Sequence, residues 1–155
     1  MTRNLLFLIM LILFNQCGFK IIDTSLSTLK IEKLEIEGYN KVNFLIKNNL
    51  LNKNRSSGGT VPIILQIETN RKKEIFEKNI RNEITKYKII LDTKVKIKRS
   101  TQEKLSEFSI SLNGDYRVET SSIKTAKNLN NLENKLSSEI SKKIQQKLFY
   151  LNNDL

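Results

Sequence analysis

The chain contains no histidine and no tryptophan, and its 155 residues include one cysteine and one proline. Without histidine the commonest general base and metal ligand is missing, so an enzyme here would be left with carboxylate, lysine or serine chemistry. A single cysteine, Cys17, rules out an internal disulfide, and once that thiol is modified no thiolate metal site or cysteine nucleophile remains. The Gly-x-Ser-x-Gly turn that exposes a nucleophilic serine is absent as well. No catalytic residues, no metal site and no cofactor are therefore expected, and a binding role is favoured over catalysis. Long apolar runs are also missing. Residues 5–14 form a continuous apolar segment that as a helix would measure about 15 Å, half of a hydrocarbon core of roughly 30 Å.

That short run follows Arg3 and leads into Asn15-Gln16-Cys17-Gly18-Phe19-Lys20. A cationic start, an apolar core and a cysteine directly after it are the parts of a lipoprotein export signal, with Cys17 as the lipidation and cleavage point. Residues 15 and 16 are polar where a small residue ordinarily precedes an acylated cysteine. The alternative is a short retained anchor with an incidental cysteine. The expected division is a signal peptide over 1–16, a lipidated tether over 17–27 and one domain over 28–155. Gly18 occupies the position where an aspartate commonly holds a lipoprotein in the inner membrane, which permits the outer membrane.

What is abundant is positive charge: 27 Lys and Arg against 16 Asp and Glu, a formal net +11. Such a balance suits a polyanion, and export argues against nucleic acid. In an envelope the abundant polyanion is phosphorylated glycolipid, whose phosphates attract lysines without fixed geometry. Lysine, asparagine and isoleucine are all frequent, so a solvated surface shaped by coding bias accounts for the charge equally well.

Along the domain, Leu29, Ile31, Leu34 and Ile36 predict a first strand ending at Gly38, with strict alternation from Lys33. Asn40 is placed to cap a helix over 41–52 that carries Val42, Leu45, Ile46, Asn49 and Leu50 on one face. The polar run ending in Gly58-Gly59 reads as a linker. Val61 to Thr69 alternates as a second strand, and Pro62 at its start suggests an edge. Over residues 71–82, Phe76, Ile80 and Ile84 fit a helix while the lysines and glutamates suit a solvated strand extension equally well, and an irregular extension is expected. The clearest strand spans 85–98, with Tyr87, Ile89, Leu91, Thr93, Val95 and Ile97 on one face. Lys86, Lys88, Lys94, Lys96 and Lys98 share the other, which faces either water or an anion. A turn over 100–104 leads to a strand begun by Phe108, Ile110 and Leu112, antiparallel to the one before. Asn113-Gly114 is a strong hairpin signal, with a bulge in a continuing strand as the competitor. Asp92 and Asp115 become neighbours only if the hairpin register pairs them. Leu129, Leu132, Leu136, Ile140, Ile144, Leu148 and Leu151 mark a long amphipathic helix, with Asn130 and Glu133 resembling a capping pair and a possible earlier start near Lys124. This order predicts an α+β two-layer sandwich in which two helices pack on one face of a mixed four-stranded sheet.

The chain resembles the LPS-assembly lipoprotein LptE family. The residues that carry the resemblance are Cys17-Gly18-Phe19-Lys20 after the signal, Glu83-Ile84-Thr85-Lys86-Tyr87-Lys88-Ile89 opening the long strand, Asp115-Tyr116-Arg117-Val118 with Ser121 and Ser122, and the C-terminal helix; together they span nearly the whole mature chain. The resemblance implies a lipid-anchored outer-membrane protein on the periplasmic side that plugs the lipopolysaccharide-transport barrel, assists its assembly and contacts lipopolysaccharide in transit. It also favours a bulge at Asn113-Gly114, with residues 115–120 continuing the strand. Placement of lipopolysaccharide on Lys86, Lys88, Lys94, Lys96 and Lys98 comes from strand periodicity. The alternative function is an accessory or adaptor subunit of another envelope assembly machine.

Overall fold

The computed structural model describes residues 29–54, 61–99 and 102–153. The signal segment, Cys17, the tether and the Gly58-Gly59 linker lie outside them. Six elements follow one another: β1 (Leu29–Gly38), α1 (Asn40–Asn54), β2 (Val61–Lys78), β3 (Ile84–Arg99), β4 (Gln102–Arg117) and α2 (Ser122–Asn153). The strands lie in the order β1-β2-β3-β4. β1 and β2 are parallel and joined through α1, whereas β2, β3 and β4 form an antiparallel meander. Both helices cover one face, giving the expected α+β two-layer sandwich with a mixed four-stranded sheet.

The core follows from parity. Ile63, Leu65 and Ile67 of β2 and Ile89, Leu91, Val95 and Ile97 of β3 point inward to meet Val42, Ile46 and Leu50 of α1 and Leu136, Ile140, Ile144 and Leu148 of α2. In β1 the inward set changes parity, from Ile31 to Leu34 and Ile36, and the register shows why. Ile31 pairs with Ile63 and Lys33 with Ile64, so Glu32 is an extra residue, and this bulge returns Leu34 to the face of Ile31. The strand ends at Gly38, whose φ of 94° and whose Cβ, if it had one, would lie 2.3 Å from the Thr69 carbonyl oxygen. Tyr39 N–H then bonds that same oxygen at 2.8 Å, turning the chain into α1.

Several expectations require correction. Pro62 does not mark an edge, because β2 is flanked by β1 and β3. It pairs with Lys30 one residue before the described pairing with β3 begins at Ile63 and Arg99, so its missing donor costs that ladder nothing. Residues 71–78 are strand paired with β3, regular to Ile75 and shifted in register at Phe76 and again between Glu77 and Lys78; the chain then turns at residues 79–83, where the Asn79 carboxamide oxygen accepts from the N–H groups of Arg81 and Glu83 and Asn82 adopts φ 63°. Asn113-Gly114 forms neither a hairpin nor a bulge: Asn113 pairs with Ile90 and Gly114 with Ile89 in unbroken register, and the strand stops at Arg117, short of residue 120. Gly114 instead lies close beneath α2, where a Cβ would stand 2.6 Å from the end of the Leu132 side chain. Helix α1 receives its first bond at the Tyr39 carbonyl, so Asn40 is already inside the helix. α2 starts at Ser122, and Asn130 and Glu133 sit well inside it.

Candidate functional site

With the helices on one side, the other face of the sheet is uncovered. All five lysines singled out from periodicity project there, on β3, and the register defines what flanks each. Lys98 lies between Ile64 and Leu105, Lys96 between Gln66 and Glu107, Lys94 between Glu68 and Ser109, Lys88 between Glu74 and Asp115, and Lys86 between Glu77 and Arg117. β1 adds Glu35 and Glu37 to the same rungs. The stripe is thus one column of a mixed-charge ladder. Lys94 Nζ lies 2.8 Å from Glu107 Oε1, and the carboxylate holds the ammonium above its ordinary pKa. Lys86 Nζ lies 2.6 Å from Glu77 Oε2; hydrogen bonds from Lys86 and Thr85 hold that carboxyl below its ordinary range. Lys88 sits over the Phe76 ring at 4.6 Å. Lys96 lines a small depression of about 90 Å³ with Glu35, Glu68 and Lys94. Asp92 pairs with Ser111 and Asp115 with Lys88, so these carboxylates do not face each other.

The β2–β3 hairpin outruns the rest of the sheet. β1 stops opposite Thr69, and residues 70–78 add about 30 Å of strand with no partner on that side among the described residues. Near its tip Ile75, Phe76 and Ile80 are all exposed, Ile80 completely. Phe76 is an extra residue between the pairs Ile75–Tyr87 and Glu77–Lys86, which puts it on the lysine face. At the hairpin's base the Thr69 and Thr93 hydroxyls, both buried, lie 3.2 Å apart.

A second cluster joins three elements. The Glu133 carboxylate of α2 is fully buried and receives Lys41 Nζ at 2.6 Å, Arg71 Nε at 3.0 Å and the Tyr39 hydroxyl at 3.3 Å. Arg71 also stacks over the Tyr39 ring at 5.0 Å, and Lys41 reaches Asn130. This constellation was not expected from the sequence, yet it left a signal. Glu133 falls between Leu129 and Leu136 on the apolar stripe of α2, and Arg71 continues the inward parity of Ile67 and Thr69. A charge at a core position calls for a partner, and here each supplies the other's. Its place is structural: it ties the start of α1 and the base of the hairpin to α2.

The architecture can be compared with solved structures. Rare lipoprotein B from Shewanella oneidensis shares the fold. It superposes with a TM-score of 0.59 at 12% identity, over 79% of this chain and 97% of that one. A Caulobacter crescentus lipoprotein gives 0.60 at 12% identity, over 85% and 96%, and lipoprotein B from Nitrosomonas europaea 0.56 at 13%, over 88% and 93%. No family model and no curated protein sequence matches the chain. The order of strands and helices is thus common to proteins that share about one residue in eight, which identifies the fold and leaves the site to be argued from its own residues.

Proposed function

We propose that this chain is an outer-membrane lipoprotein, anchored on the periplasmic side through acylated Cys17, that seats in the lipopolysaccharide-transport barrel as a plug and assists its assembly and the delivery of lipopolysaccharide. The observation that carries the reading is the sheet face left uncovered by the helices and prolonged by the hairpin. A projecting two-stranded ribbon with Ile75, Phe76 and Ile80 exposed buries little of its own surface, and such a patch is a contact surface for something else. The solved lipoproteins of the same fold and the layout around Cys17 support the anchor. In this reading Lys86, Lys88, Lys94, Lys96 and Lys98 meet lipid phosphates. Lys96 and Lys98, which form no ion pair with another described residue, are the readiest to do so.

The test is a pull-down of tagged protein from envelopes in mild detergent, with mass identification of the partner and of the N-terminus. Recovery of a large outer-membrane barrel together with an acylated Cys17 is the expected result. Acylated protein recovered alone, or with a different assembly machine, would remove the lipopolysaccharide role and leave the fold standing.

A further inference from the structure

The sheet has three free edges among the described residues, and they are not alike. An unpaired edge strand presents a row of N–H and C=O groups that invites another strand, and proteins ordinarily blunt it with charge, proline or a bulge. The outer edge of β1 carries Lys30, Glu32, Lys33, Glu35 and Glu37 and the bulge at Glu32. The free end of β2 carries Arg71, Lys72, Lys73, Glu74, Glu77 and Lys78 and a bulge at Phe76. β4 has neither device over Phe108-Ser109-Ile110-Ser111-Leu112-Asn113-Gly114, seven residues without charge or proline in a chain that is 28% charged. Its register against β3 is unbroken through this stretch.

Which backbone groups this edge offers follows from the ladder. Val118 N–H bonds the Thr85 carbonyl at 2.9 Å, so Thr85 and Val118 are a hydrogen-bonded pair. Alternation then makes Thr93–Ile110 and Val95–Phe108 bonded pairs too, and turns the N–H and C=O of Ser109 and Ser111 outward. Beside them runs a groove of about 510 Å³ between the β4 edge and the flank of α2, roofed by Lys143, Gln146, Lys147 and Tyr150. Lys143 and Lys147 are exposed, one helical turn apart, and form no ion pair with another described residue.

We propose that the β4 edge at Ser109 and Ser111 accepts an added β-strand, and that the incoming strand is an acidic extended segment of a partner protein whose carboxylates lie beneath Lys143 and Lys147. Main-chain bonds to Ser109 and Ser111 supply the pairing, and the two ammoniums select the charge of the alternate side chains that face α2. An acyl chain laid in the same groove would leave those outward amides without partners, which is costly. A second copy of this chain would bring the same stretch of β4, which holds no carboxylate between Phe108 and Gly114 to pair with Lys143 and Lys147. The inference is independent of the lipopolysaccharide reading.

The probes are two synthetic peptides of about ten residues, one alternating valine with glutamate and one alternating valine with lysine, added to the mature chain. The glutamate peptide is expected to bind and to protect the Ser109 and Ser111 amides from hydrogen exchange, while the lysine peptide does not. Lys143→Glu with Lys147→Glu should weaken the glutamate peptide by about tenfold or more and favour the lysine peptide. Lys124→Glu with Lys135→Glu, the same change of net charge away from the groove, should leave affinity within about twofold. Ser109→Pro should abolish binding with the fold retained, because that N–H makes no bond to β3. Should this variant not fold, the exchange and charge-reversal readings still decide. Equal binding of both peptides, or binding without protection at Ser109 and Ser111, would overturn the proposal. So would a dimer in sedimentation whose amides at those positions are already protected.

Discussion

Arg71 and Glu133, 62 residues apart in sequence, meet at 3.0 Å in an ion pair whose carboxylate is fully buried. Removing one member of such a pair strands the other in low dielectric, which typically costs about 3–5 kcal/mol. Glu133→Ala should fall at the lower end, since Lys41 is half-exposed and can rehydrate. Replacing Glu133, Arg71 and Lys41 together by apolar residues of similar volume should recover most of that loss. Urea midpoints of the single and triple variants check both statements, and a triple variant no more stable than Glu133→Ala would mean that shape, not charge, makes the contact.

The two described glycines should respond differently to the same methyl group. At Gly38 a Cβ meets the Thr69 carbonyl oxygen at 2.3 Å in a left-handed backbone, and neither can yield without breaking the β1–α1 turn. Gly38→Ala should cost about 2–4 kcal/mol. At Gly114 the obstacle is the end of the Leu132 side chain, which can change rotamer, so Gly114→Ala should cost about 1 kcal/mol or less. Thermal unfolding of both variants settles the ranking. The reverse order would mean that Leu132 is held too tightly by α2 to yield.

The pH response of the open face has a defined sign. Hydrogen bonds from Lys86 and Thr85 lower the pKa of Glu77, and hydrogen bonds from Lys33 and Gln66 lower that of Glu35, both from an ordinary value of 4.5. A carboxyl lowered in the folded state contributes stability that is complete above that value and is lost as pH falls through the folded one. Lys94, raised by Glu107, and Lys33, raised by Glu35, contribute fully below 10.5 and lose the contribution as pH rises through their folded values. Protection factors of the hairpin amides, taken as the intrinsic over the measured exchange rate at each pH, should accordingly be flat near neutrality and fall below the carboxylate range. Glu77→Gln should flatten that acid limb, and an unchanged acid limb would show that this pair does not hold the hairpin.

If the lysine face meets lipid phosphates, binding of purified lipopolysaccharide should weaken with salt and with loss of charge. Lys96→Gln with Lys98→Gln should reduce affinity more than Lys86→Gln with Lys94→Gln, because the latter two lysines are already neutralised by Glu77 and Glu107. Unchanged affinity at low ionic strength in all four positions would end that assignment.

The architecture was legible to the extent that it rests on period. Alternation along β3 named the face that packs and the face that does not, and the leucine and isoleucine spacing of α2 named its buried stripe. In β1 the letters showed alternation that is strict only from Lys33, and the bulge at Glu32 behind it came from the register with β2. The candidate site was legible only as a column. Which side of β3 carries the lysines follows from period alone, whereas Glu77 and Glu107 join them from other strands. Asn113-Gly114 misled because a local turn preference competes with a long strand partner. Paired against Ile89 and Ile90 and packed beneath Leu132, the dipeptide stays extended.

The sequence by itself determined the two helices, most of the strand faces, the end of β1 at Gly38 and the surplus of positive charge. Each of these is a property of neighbours along the chain, where covalent spacing sets the geometry. The tertiary structure alone decided that β2 lies inside the sheet despite Pro62, that Glu133 is buried between Lys41 and Arg71, and that the lysine stripe is flanked by carboxylates. It also decided that the uncharged stretch 108–114 of β4 lies at an edge of the sheet among the described residues. These depend on which strands pair and in what register, and that choice is made by burying the whole apolar face at once, which no local stretch encodes.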